Sequence, residues 1–177
     1  MKKIDSKIKN MTYCSLAAAL ICVLSPISFP IGTIPVTLSL FAVMLASLVL
    51  DFPFSLVSVV LYVALGAFGL PVFSGGRGGF GVISGATGGY IVGYVFVPTA
   101  VFVWRKVAKK FGIFSRVFSC MAGVLVCYAT GTVWYSHVTG TGFFSALLVC
   151  ALPFIPFDVL KAFFAAILSV KLEKYKK

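Results

Sequence analysis

Apolar residues run through this chain in long blocks separated by short polar or glycine-rich breaks. The blocks have the length of bilayer-crossing helices: a hydrocarbon core of about 30 Å takes roughly 20 apolar residues per helix. Six segments meet or approach that length, at about 11–28, 34–51, 54–71, 86–104, 117–136 and 153–172. The second and third are short, which predicts helices that stand nearly upright or thin the bilayer locally. The pattern therefore predicts an all-α integral membrane protein, with six transmembrane helices in a single compact bundle over 1–177. The first block ends in SPISFP with no small-residue cleavage site, so it reads as a retained helix and not as a removed signal peptide. Residues 143–152 make a further short apolar segment, read as a helix on the outer surface in preference to a seventh half-span.

Composition supports the same class. Hydrophobic residues are 60% of 177, charged residues 11%, and the mean hydropathy is +1.09, where soluble domains are about 45–50% apolar. The net charge of +11 is distributed by topology. With the N-terminus inside, Lys2, Lys3, Lys7 and Lys9, then Arg105, Lys106, Lys109, Lys110 and Arg116, then Lys171, Lys174, Lys176 and Lys177 all fall on one side. That is 13 of the 15 basic residues, and it predicts cytoplasmic termini at the cell membrane and an external Arg77. The basic ends then face anionic inner-leaflet lipid. Nucleic-acid binding would need those charges on one soluble face with aromatic platforms between them, and no such domain is present.

Most catalytic chemistry is excluded by what is missing. No G-x-x-x-x-G-K-[ST] occurs, so the chain cannot hydrolyse ATP unaided. Gly76 to Gly81 spells G-x-G-x-x-G, but between two membrane spans instead of in a strand–turn–helix unit. Cys14, Cys22, Cys120, Cys127 and Cys150 show no C-x-x-C pairing and no histidine cluster, so they read as packing residues and neither a metal nor a cofactor is expected. His137 stands alone near the outer end of the fifth span and reads as a surface histidine.

Two features carry candidate chemistry. Residues 66–94, GAFGLPVFSGGRGGFGVISGATGGYIVGY, form a glycine-saturated connector. Such backbone cannot lie against lipid, so it is buried in protein or lines a cavity. Gly75, Gly76, Gly78, Gly79 and Gly81 permit positive φ and close approach to a ligand, with Phe73 and Arg77 among them; a plain outer connector is the alternative. Thr87 and Tyr90 open the fourth span, where Gly89 and Gly93 make a smooth packing stripe. The second feature is Asp158 and Lys161, three apart on one helix face. Pro153 and Pro156 point to a helix starting near Ile155 or Pro156, so Asp158 lies in its first turn, where the helix dipole favours a carboxylate. A neutralising internal ion pair is the alternative, although desolvation makes an isolated pair costly. A small helical protein with one outer cavity, one buried acid–base pair and no energy-converting motif can bind a solute but needs a partner to pump it. An enzyme using Asp158 as acid or base is the rival class.

IPVTLSLFAVMLASLVL, GLPVFSGGRGGFGVISGATGGYIVG and LPFIPFDVLKAFFAAIL, in that order over about 30–172, resemble the BioY family, the biotin-binding S components of energy-coupling-factor (ECF) transporters. The resemblance implies six helices, a biotin pocket near the outer surface, and three partners: a transmembrane coupling subunit and two cytoplasmic ATPases. By the same resemblance Asp158 and Lys161 bond the ureido ring, and Thr87, Gly88, Gly89 and Tyr90 match a T-G-G-Y motif. Ser39 stands where a glutamine is common, Ala86 where proline is, Phe157 where glycine is, and Arg77 where a small or polar residue is. The family's small-residue docking stripe falls on the first span, here as Ser15-x-x-x-Ala19 and Ala18-x-x-x-Cys22 in place of A-x-x-x-A. An S component for another vitamin is the nearest alternative. Arg77, at the loop mouth, is placed to meet the valerate carboxylate.

Overall fold

The structure is a computed structural model that describes residues 2–29, 35–108 and 110–176, with side chains only within 7–174. The start of the second predicted span at 34, Lys109 and Lys177 lie outside the described residues. The architecture is all-α, with one two-residue antiparallel ribbon, and the helices pack as a bundle.

Helix α1 (Lys2–Leu24) starts before the predicted 11 and stops short of 28. Pro26 disfavours helical backbone at Ser25, and the chain turns into the ribbon Ser28–Phe29 (β1) with Val36–Thr37 (β2). Helices α2 (Ser39–Val49) and α3 (Phe54–Ala67) follow. At about 1.5 Å per residue they span only about 16 and 21 Å. Among the described residues, four stretches are long and apolar enough to cross a bilayer: Lys7–Leu24, Gly88–Val107, Ile113–Thr139 and Phe143–Lys174.

The glycine-rich connector is not a free loop. It begins with a Schellman turn: Gly69, at φ +102°, donates to the Gly66 carbonyl, and Leu70 donates to Leu65. A 3₁₀ turn at Ser74–Gly76, the short helix α4 (Phe80–Ile83) and α5 (Gly88–Gly93) complete it. Helix α6 (Phe96–Val107) continues α5 after an offset. Pro98 lacks the N–H that would bond Tyr94, so Val97 closes a tighter turn onto the Tyr94 carbonyl at 3.2 Å. The predicted span 86–104 is thus two helices. Helix α7 (Ile113–Thr139) is longer than predicted and ends at Gly140, φ +70°. Residues 143–150 do form a helix, α8 (Phe143–Cys150), which leads through a 3₁₀ turn at Leu152–Phe154 into α9 (Ile155–Lys176).

α7 is the central helix. α5, α6, α8 and α9 all pack on it, while α9 also packs on α2, and α1 packs on α3. Small residues let these helices approach: α9 buries Ala162, Ala165 and Ala166 completely, and Gly123 of α7 meets Val97 of α6. Arg116 corrects the sequence reading. Because α7 starts at Ile113, Arg116 lies inside the helix and is only 7% exposed. Its guanidinium donates to both Glu173 carboxylate oxygens, at 3.0 and 2.7 Å, and to Ser169 at 3.0 Å, over the Phe111 ring. Asp158 and Lys161 are therefore accompanied by a second, part-buried ion pair. A second correction concerns the docking stripe on α1. Ser15 and Ala19 are exposed and Cys22 is half-buried, but Ala18 turns into the bundle and is buried, so it cannot face a partner.

Candidate ligand-binding site

α9 begins at Ile155, as its prolines predict, and places Asp158 in its first turn. Lys161, one turn on, donates to Asp158 Oδ1 at 2.8 Å. The Tyr128 hydroxyl of α7 donates to Oδ2. Asp158 is 3% exposed. Its carboxylate is held from two helices, yet two of its roughly four lone-pair sites remain unused. Lys161 likewise has three ammonium protons, one of them committed to Asp158.

This pair forms one wall of a cavity between α2, α3, α5, α7 and α9, with about 710 Å³ of unfilled space counted to its open mouth. Four tyrosines, Tyr62, Tyr90, Tyr94 and Tyr128, line it as well, beside hydroxyls of Ser25, Thr37, Ser39 and Thr87. The Tyr62 hydroxyl pairs with Ser25 at 2.6 Å, and the Tyr94 hydroxyl pairs with Ser39 at 2.9 Å, while Ser39 also pairs with Thr37. Tyr90 reaches Thr132 and the Cys150 carbonyl, each at 3.4 Å. Its ring fits only because position 131 is glycine: a Cβ there would overlap it. Gly89 and Gly93 bring α5 close to Trp134, Thr130 and Cys127 of α7, so their stripe serves packing.

The connector shapes the mouth. Phe73 is 1% exposed, meets Tyr62 edge-on at 5.6 Å, and uses the space left by Gly66, where a Cβ would overlap its ring. Gly79 then donates to the Gly66 carbonyl at 2.7 Å. These contacts pin the loop to α3 and leave Arg77 exposed at the rim. Its Nε donates to the Ser74 carbonyl at 3.2 Å, and its two terminal nitrogens have no partner among the described residues.

Seven of the nine sequence-derived ligand candidates line this one cavity: Ser39, Phe73, Arg77, Thr87, Tyr90, Asp158 and Lys161. Gly76 and Gly79 do not. Both have positive φ, at +70° and +96°, and serve the turns of the loop; Gly78 and Gly81 have no positive φ at all. Sequence reasoning missed Tyr62, Tyr94 and Tyr128. Tyr94 falls one helical turn after Tyr90, which was an available signal. Cys127 and Cys150, read as packing residues, also touch the cavity. All five cysteines are free thiols.

A hydroxyl-lined cavity with a buried ion pair, inside an apolar helical bundle, defines a multi-pass membrane protein built around a polar site. The sequence matches the BioY family over residues 1–177, and the chain belongs to that family. It is 38% identical to the probable biotin transporter BioY of Pyrococcus horikoshii, over 94% of this chain and 98% of that protein. It is 33% identical to the biotin transporter BioY2 of Lactococcus lactis, over 95% and 92%. Its fold superposes with a TM-score of 0.86 on a crystal structure of the S-component for biotin from an ECF-type ABC transporter. That match has 28% identity and covers 96% of this chain and 93% of the other.

Proposed function

We propose that this chain is a biotin-binding S component, which captures biotin outside the cell and passes it inward with an ATP-driven ECF module. The observation that carries the reading is the Asp158–Lys161 pair on the cavity wall. Its free groups complement a ureido ring: the carboxylate accepts N–H bonds and the ammonium donates to the carbonyl. Membership of the BioY family supports biotin over another vitamin. Arg77 at the rim faces the valerate carboxylate, and Tyr90, Thr87, Phe73 and Ser39 complete the pocket.

The remaining parts of the reading rest on chain chemistry and family. Six helices cross or enter the bilayer, with the short α2 and α3 as the second and third. The termini are cytoplasmic, because the basic residues gather there. The partners are a transmembrane coupling subunit, approached through the exposed Ser15 and Ala19 side of α1 with Cys22 at its edge, and two cytoplasmic ATPases. Isothermal titration of detergent-purified protein tests the ligand. Biotin should bind with one-to-one stoichiometry and other vitamins should not; heat only with a different vitamin would replace biotin as the ligand.

A further inference from the structure

Lys161 belongs to two surfaces. Its ammonium faces the polar cavity, while with Val36 it also lines a separate groove between α2 and α9, open on the outside of the bundle. Among the described residues the groove wall is apolar along its length, with Phe41, Leu160, Phe164 and Leu168 prominent, and Lys171 closes its far end. Its space is about 1270 Å³ counting the open side. Lys171 has no ion-pair or hydrogen-bond partner among the described residues, whereas Lys161 is committed to Asp158 and Arg116 to Glu173.

Length and charge together select an occupant. Ten residues separate Lys161 from Lys171 on α9, about 15 Å at 1.5 Å per residue. That is half of a core of about 30 Å, the depth of one leaflet. A concave apolar track one leaflet deep, with an unpaired cation at its basic end, fits one chain of an anionic lipid whose phosphate meets Lys171. We propose that an anionic glycerophospholipid occupies this groove, head at Lys171 and chain end against Val36 and the Lys161 stem. Filling the groove packs the methylenes of Lys161 and holds its ammonium towards Asp158. This last link rests on reading the cavity as the biotin site; the lipid site itself does not.

Native mass spectrometry of protein exchanged from mixed phosphatidylglycerol and phosphatidylcholine tests the site. Phosphatidylglycerol should be retained preferentially, and Lys171→Glu should weaken retention at least about fivefold, the factor for losing one lysine's attraction to anionic lipid. Leu168→Trp, which narrows the groove without touching charge, should also reduce it. Equal retention of the two lipids, or retention unchanged in Lys171→Glu, overturns the lipid site. In nanodiscs, biotin should bind more tightly with phosphatidylglycerol than with phosphatidylcholine alone, and Lys171→Glu should abolish the difference. Equal biotin affinities in the two lipids overturn the link to Lys161, and absence of biotin binding in both counts against the biotin site, with the lipid arm still readable.

Discussion

Asp158 is gripped by Tyr128 from α7 and Lys161 from its own helix, so a ligand meets a carboxylate already fixed in direction. Arg77 contrasts with it: its exposed guanidinium is anchored by one bond through Nε. A planar fork with free terminal nitrogens suits a carboxylate. Arg77→Ala should therefore weaken biotin more than its uncharged amide in parallel titrations. If the role is long-range steering, the difference should shrink as salt shortens the Debye length. Equal effects on the two ligands would assign Arg77 to solvent. Much of the site was legible at this scale, because Asp158, Lys161 and Arg77 are conspicuous in an apolar chain. The tyrosines were not. A tyrosine in a membrane span looks like packing until its helix face is known, and Tyr128 gains its meaning only from Asp158, thirty residues away. The glycines misled in the opposite direction, since a loop rich in them suggests ligand contact when Gly76 and Gly79 serve the bend.

Among the helices, α7 and α9 are joined at two levels, by Tyr128–Asp158 at the cavity and by Arg116–Glu173 with Ser169 at the basic end. The second clamp buries Arg116 while the Glu173 side chain stays 31% exposed. Removing one partner of a fully buried pair costs roughly 3–5 kcal/mol. Arg116→Met should cost less, about 2 kcal/mol, because water reaches Glu173. Thermal unfolding in detergent should show the fall in Tm, and adding Glu173→Leu should recover part of it, since the stranded carboxylate is then gone. A double variant no more stable than the single one would contradict this view of the clamp. The helices themselves were legible from apolar blocks, and the prolines marked the start of α9. Their boundaries were less so. The split between α5 and α6 depends on one missing N–H at Pro98, and Arg116 reads as a loop residue because the apolar block opens only after it, whereas the helix has already begun at Ile113.

For the molecule as a whole, Arg77 and Lys161 stand at the polar cavity, while Arg105, Lys106, Arg116 and Lys171 lie towards the other ends of their helices. The positive-inside rule then predicts a cavity mouth on the outside. Single cysteines at positions 77 and 110 in a cysteine-free background test this with an impermeant maleimide. Position 77 should label in intact cells and position 110 only after permeabilisation; labelling of both in intact cells would contradict the topology. The central claim is that the Asp158–Lys161 wall binds biotin, and titration of purified Asp158→Asn beside the unaltered protein tests it most directly. The amide keeps the shape but loses a charged acceptor, a bond type worth roughly 1.5–3 kcal/mol. At 1.4 kcal/mol per decade, biotin affinity should fall at least about tenfold while the protein stays folded. An unchanged affinity in folded Asp158→Asn would show that the pair only holds the helices together.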